Sequence, residues 1–331
     1  MSKKIRIDSN ISIKEYILKN KIVLGVVTAS IFFNIYLLSI PTPIEKDTVE
    51  ENQSLYKYIS KRVFVEDPND VIINFVPLRI ALREYVTKQG DNLGVYFEYL
   101  PSGISIGVND RNEFKLASLS KVPLVMSVLK KIEKGEIKLT DTVQLHKDDL
   151  NDSFGDLWKR GEGATLSIEE LIQASLIYSD NTAYHTLFRL LTNNEIIDVY
   201  DNLEIEVSSK ETNPQVSPKS YSSIFRSLYL ASYLSKENSN YILDTLTKTI
   251  FNDKIPAGLP ANIPVAHKIG VFSIPESPEK VFTDCGIVYA PQRPYVLCIF
   301  VKESEEDARK HSVYISKMIY QYIQIVKGGN K

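Results

Sequence analysis

Strand-like segments lie at both ends of the folded part of the chain, with helical periodicity between them, and this separation most restricts the fold. "NLGVYFEYL", the turn signal "PSG" and "ISIGV" read as a β-hairpin ending at Val108. "PVAHKIGVFS", "CGIVYA" and "YVLCIFV" return to strand character from 264 onward, and a closing helix follows from about 305 to 326. The stretch 140–250, with "SIEELIQASLIYSDNTAYHTLFRLL" and "SPKSYSSIFRSLYLASYLS", reads as mostly helical. Strands so far apart in sequence share a sheet only if the chain ends come together. The expected fold is therefore α+β: an antiparallel sheet from both chain ends, flanked by helices, with a mainly helical second lobe. A cleft between the lobes is the expected place for a site.

Ahead of this domain, 22–40, "IVLGVVTASIFFNIYLLSI", is an uncharged apolar run able to span a bilayer of about 30 Å as a helix. Lys3, Lys4, Arg6, Lys14, Lys19 and Lys21 precede it, and Glu45, Asp47, Glu50 and Glu51 follow. That asymmetry predicts a single-pass anchor in the cell membrane with a cytoplasmic N-terminus and an extracytoplasmic domain. A cleaved signal peptide is the competing reading, against which no small-x-small cleavage site follows cleanly. The expected organisation is a tail over 1–21, an anchor over 22–40, a polar Pro-marked linker over 41–70 and a domain over 71–331. The helical lobe would occupy about 140–250, and the domain's first helix would lie within 71–91.

Composition narrows the function. The 331 residues carry 39 basic and 41 acidic side chains, so the chain lacks the basic excess that binds phosphate backbones, and no nucleic-acid partner is expected. Two cysteines, Cys285 and Cys298, exclude a disulfide framework and any Cys-rich zinc site. They flank two strands joined at "PQRP". If Ala290 pairs with Tyr295, the cysteines lie diagonally on one sheet face. Two buried thiols are the expectation there, and a disulfide is the alternative.

Chemistry enters at "ASLSKVPLVM", 117–126. Ser-x-x-Lys occurs four times, from Ser54, Ser118, Ser127 and Ser277, so the pattern alone means little. Only Ser118 opens a helix, whose apolar face is Val122, Val125, Met126, Leu129 and Ile132 and whose first turn accommodates Pro123. Three residues apart, Ser118 and Lys121 share a face, so an amine could take the hydroxyl proton, and the positive helix end would favour a nearby anion. The plainer reading of Ser118 is a helix cap beside a solvated lysine. Two further motifs follow in order: "YSDN" interrupts a helical pattern at 178–181, and "HKIG" places Lys268 on a strand before Gly270.

Ser-x-x-Lys, Ser-Asp-Asn and Lys-x-Gly in this order resemble class A β-lactamases and penicillin-binding serine hydrolases. The resemblance runs from about 71 to the end and includes the lead-in "AGLPANIPVAHKIG". It implies an acylated Ser118, Lys121 as its general base and Ser179 as proton relay to the leaving group. Asn181 would orient Lys121 and the substrate amide, and Lys268 would hold Ser179 and favour an anionic substrate group. The backbone N–H groups of Ser118 and Val271, beside Gly270, would form an oxyanion hole. No metal or other cofactor is implied.

Two departures bear on substrate and turnover. Class A enzymes carry a loop glutamate, in a Glu-x-x-Leu-Asn pattern, that activates the deacylating water. The corresponding "VYDNLEIEVSSKETNPQVSP" lacks that pattern, and Glu204, Glu206 and Glu211 read as surface acids. Without such a base, acylation survives and hydrolysis of the acyl-enzyme slows. Ile269 also stands where the family has Thr or Ser, whose hydroxyl helps bind the substrate carboxylate. His146, His185, His267 and His311 show no metal-ligand spacing. The expectation is a membrane-anchored serine hydrolase acting on a β-lactam or a D-alanyl, peptidoglycan-like amide. The alternatives are a D,D-peptidase with slow deacylation and a non-catalytic wall-binding module on the same scaffold.

Overall fold

The computed structural model describes residues 73–206, 214–273, 276–277 and 280–325, together with Lys21, Lys57 and Tyr58. From Lys57 onward these belong to one compact unit. The apolar run 22–40 lies outside the described residues. Among the described residues, no helix is long and apolar enough to cross a membrane.

Five antiparallel strands form the main sheet, in the order β2-β1-β9-β8-β7. The first two are the expected hairpin: β1 (Leu93–Tyr99) and β2 (Ile104–Val108) pair from Val95 with Val108 to Tyr99 with Ile104. Gly103 closes the turn at φ +70°, with its N–H donating to the Tyr99 carbonyl at 2.8 Å. The other three are β7 (Val265–Ser273), β8 (Lys280–Val288) and β9 (Tyr295–Glu303), the C-terminal strands. The sheet thus joins both chain ends, and β1 pairs along its whole length with β9. All seven residues of β1 are buried, because core covers both its faces.

Helix α1 (Val76–Thr87) buries Leu78, Leu82 and Val86, one residue per turn, against one sheet face, and the closing helix α8 (Glu305–Ile325) covers the same face. The other face carries the second lobe. This lobe begins with α2 (Lys121–Glu133) and includes α3 (Ile168–Ile177), α4 (Asn181–Phe188), α5 (Asn193–Asn202), α6 (Pro218–Leu230) and α7 (Lys236–Leu246). Sequence periodicity missed two small antiparallel pairs here. One is β3 (Phe114–Lys115) with β6 (Gln215–Val216), and the other is β4 (Thr142–Gln144) with β5 (Thr165–Ser167). Strands of two or three residues are too short to show an alternating pattern.

Two expectations need correction. The strand register joins Val288 to Tyr295, not Ala290 to Tyr295, because the connection over 289–294 is longer than "PQRP". Cys285 and Cys298 are therefore direct cross-strand partners, with Cα atoms 4.0 Å apart, and they form a disulfide in place of the expected thiols. Tyr58, in the expected linker, is buried against Tyr289, whose hydroxyl donates to the Tyr58 carbonyl at 3.0 Å. The folded unit reaches back at least that far.

Candidate active site

Ser118 does not cap α2. It lies in a 3-10 turn, Ala117–Ser120, that feeds the helix, and its Oγ accepts a hydrogen bond from Lys121 Nζ at 2.9 Å. Lys121 is 3% exposed, and its Nζ also donates to Asn181 Oδ1 at 2.7 Å. The other Ser-x-x-Lys steps show what chance looks like. Ser127 Oγ bonds to the carbonyls of Pro123 and Glu195, while Lys130 turns to the Tyr233 carbonyl.

Asn181 is brought to Lys121 by the break between α3 and α4. Ser167 and Glu170 form a reciprocal capping box that starts α3, and Asp180, not Asn181, caps α4 by accepting the Ala183 N–H at 2.9 Å. Asn181 therefore sits at the first position of α4 with its amide free for other work. Its Nδ2 donates to Asn151 Oδ1 at 3.1 Å, which fixes the amide so that the oxygen faces Lys121. Within the break, Ser179 takes a left-handed φ of +56°, and Ala117, immediately before Ser118, one of +47°. Such conformations cost a non-glycine residue on the order of 1–3 kcal/mol and concentrate at functional sites.

The third motif arrives on β7, the edge strand beside the Ser118 turn. Lys268 is completely buried, and its Nζ donates to Ser179 Oγ at 2.9 Å and to the Ile269 carbonyl at 3.2 Å. Gly270 is present for closeness, not for turn geometry. A Cβ there would lie 2.5 Å from Thr283 Oγ1, 3.1 Å from the Leu116 carbonyl oxygen and 3.2 Å from Ala117 Cβ. The absent side chain is what lets β7 lie against the segment carrying Ser118. Val271 follows, half-buried and paired with Phe282 on β8. The strand pleat turns Ile269 to the face opposite Lys268. That face also carries His267, whose Nδ1 lies 2.7 Å from Asp284 Oδ1.

The charges are unusual for lysines. Burial pulls Lys121 down to about 8, against the opposing pull of Asp180. Lys268 lies well below the ordinary lysine value because of its burial and then the Lys121 charge, with Asp284 opposing. Burial is the largest cause for both amines, and it leaves Lys121 able to accept a proton near neutrality.

The sequence singled out neither Asp180 nor Tyr184. Asp180 Oδ2 accepts the Leu157 N–H at 2.9 Å, so this one carboxylate caps α4 and fastens the loop before β5. Tyr184 lies under Lys121 Nζ, its ring centroid 5.1 Å away. Asp180 was legible as an acid immediately before a helix, and Tyr184 as the residue one turn beyond Asn181 on the same face.

The acids expected in the family's loop are elsewhere. Glu204 and Glu206 are both exposed and line a polar cavity with Arg111, Lys219 and Arg226. Ile205 between them is buried in the core, so the two side chains point away from it. Among the described residues no carboxylate forms an ion pair with Lys121; Glu211 lies outside them.

A model of the "Beta-lactamase enzyme family" matches residues 77–323. The chain belongs to that family and is a β-lactamase-like serine hydrolase. It is similar to Beta-lactamase 3 of Bacillus cereus, 26% identical over 75% of this chain and 80% of that one. It is also similar to the extended-spectrum β-lactamase PER-1 of Pseudomonas aeruginosa, 24% identical over 64% of this chain and 75% of the relative. Among solved structures, PBP-A matches with a TM-score of 0.68 at 25% identity, covering 76% of this chain and 97% of its own. A mutant of PBP-A was solved as an acyl-enzyme complex with penicillin G. The TLA-3 extended-spectrum β-lactamase shares the fold, with a TM-score of 0.69 at 21% identity and coverage of 74% and 99%.

Proposed function

We propose that the protein acylates Ser118 with a β-lactam or a D-alanyl peptide-like amide and releases the acyl group slowly, as a penicillin-binding enzyme does. The observation that carries this reading is Lys121 Nζ, 2.9 Å from Ser118 Oγ, with its affinity for a proton lowered to about 8. Neutral Lys121 takes the Ser118 proton as Oγ attacks the carbonyl carbon. The resulting oxyanion is held by the backbone N–H groups of Ser118 and Val271, each worth about 3 kcal/mol. As the C–N bond breaks, Ser179, held by Lys268, passes its proton to the departing nitrogen and receives in return the proton that Lys121 took from Ser118, which leaves Lys121 neutral again. An arriving substrate carboxylate restores positive charge to Lys268 and helps to anchor the ligand.

Slow release is favoured over rapid antibiotic turnover by the deacylation side, where no described carboxylate pairs with Lys121 and Glu204 and Glu206 face solvent. The similarity to PBP-A agrees with that choice. We place the hydrolase domain outside the cell membrane, anchored by 22–40, on the strength of the apolar run and the basic residues before it.

Intact-mass measurement with a penicillin tests the chemistry. A stable adduct that vanishes in Ser118→Ala is expected, whereas rapid return to free mass would mark an efficient β-lactamase. No adduct and no turnover would remove the penicillin-recognising reading. For the anchor, the protein should resist carbonate extraction and require detergent; release by carbonate alone overturns it.

A further inference from the structure

A groove of about 570 Å3 lies beside the turn that carries Ser179, and its walls are fastened to that turn from both sides. On one side Asn181 N–H donates to the Phe154 carbonyl at 3.0 Å, and Asp180 Oδ2 accepts the Leu157 N–H at 2.9 Å. Gly155 makes this closure feasible, since a Cβ there would lie 2.0 Å from Asp180 Oδ2 and its φ is +84°. On the other side Thr249 Oγ1 donates to the Ile177 carbonyl at 3.2 Å, which holds Ile250 and Phe251 against the end of α3. Tyr178 and Asp180, the neighbours of Ser179, both line the groove, and so does Phe251, whose ring centroid is 5.8 Å from Lys268 Nζ.

The rim is apolar beyond what a solvated loop requires. Tyr178 is 51% exposed, Ile250 59% and Phe154 37%, and Trp158 stands on the same loop at 38%. Large apolar side chains exposed together mark a binding surface, and aromatic faces favour planar partners. Asp156, Glu170 and Asp180 outnumber Arg160 in the lining, so nothing there selects an anion, and the Asp180 carboxylate is already taken up by the Leu157 and Ala183 N–H groups.

We propose that this groove is the leaving-group subsite of the enzyme and takes an uncharged aromatic or other planar apolar substituent on the amine half of the substrate. The assignment rests on the role proposed for Ser179: the nitrogen that receives its proton must lie beside it, and what that nitrogen carries extends into the adjoining groove. The subsite would then select substrates by their leaving half.

Trp158, the only tryptophan in the chain, stands on the loop that walls the groove, next to the lining residue Leu157, so its fluorescence follows that wall. The probes are two cephalosporins that share one acylamino group and differ at the six-membered ring, one bearing methyl and the other styryl. Titrated into full-length Ser118→Ala protein in detergent, the styryl compound should bind about tenfold more tightly than the methyl one, the gain expected from burying and stacking an aromatic group. Adding Ile250→Glu should bring the ratio to within about twofold, because a charge at the rim opposes an apolar guest. Equal affinities in the Ser118→Ala protein would overturn the subsite, as would a ratio untouched by Ile250→Glu. If the unsubstituted enzyme forms no adduct with either compound while the affinity ratio holds, the acyl-enzyme reading fails and the subsite stands.

Discussion

The two sides of Ser118 are built to different standards. Toward α4 and β7, each polar group needed to form an acyl-enzyme has a short partner: Lys121 to Ser118 and Asn181, Asn181 to Asn151, and Lys268 to Ser179. Toward the segment between α5 and β6, where a hydrolytic enzyme of this family places its glutamate, the described acids face solvent. The first side is preorganised at a cost in buried amines and left-handed backbone, whereas on the second no carboxylate among the described residues is buried beside Lys121. The proposed slow release of the acyl group predicts a difference of this kind.

The largest effect should come from removing the base. Lys121→Met, which keeps the stem and loses the amine, should slow acylation by about 10²–10⁴-fold, the range for a positioned general base. Stopped-flow acylation checks it, and a loss below about fivefold would move the base elsewhere.

Next is the closeness of β7 to the Ser118 turn. Gly270→Ala puts a methyl group 2.5 Å from Thr283 Oγ1 and 3.1 Å from the Leu116 carbonyl oxygen, so something must shift. Overpacking of this kind should cost about 1–3 kcal/mol in chemical denaturation and slow acylation as well. Unchanged stability and rate would mean that β7 can slide freely, against its pairing along β8.

The pH profile comes third. Lys121 acts as a base only when neutral, and burial sets its titration at about 8. Acylation should therefore rise about tenfold per pH unit below that value and level off above it. Asp180 opposes the downward shift, so Asp180→Asn should move the rising limb to lower pH. A limb that stays in place would show that the charge of Asp180 does not reach Lys121.

Much of this arrangement was readable in the chain because it rests on local signals. The Ser118 turn precedes an apolar helical face, Asp180 stands before a helix, and Lys268 lies on a strand ahead of a glycine. The α+β plan was readable for the same reason, since period-2 segments at the ends and period-3.6 segments between them leave few ways to close a sheet. What stayed hidden depends on register and contact. The cysteine pairing turned on a two-residue difference in where the β8–β9 connection begins, which composition does not reveal. Asn151 reaches the site only because α4 is packed across the lobe. That Gly270 makes room for the Leu116 carbonyl and the Ala117 side chain likewise depends on how β7 packs against the Ser118 turn.

The smallest effect decides the comparison. If Glu204 and Glu206 are surface acids, Glu204→Gln and Glu206→Gln, singly and together, should leave the rate of acyl-enzyme breakdown within about twofold, because exposed charges at a distance are screened. Their setting supports that expectation. Glu204 sits at a left-handed turn after α5, and the core takes Ile205 between them, so neither side chain can swing toward Ser118 without pulling Ile205 out of the core. Burial of an isoleucine is worth about 1.5–3 kcal/mol, which sets the cost of such a swing. A tenfold or greater fall in the double variant, read as persistence of the adduct mass, would mean that this cost is met when substrate is bound. The exit side would then be assembled on demand, and the contrast between the two sides would describe only the unliganded enzyme.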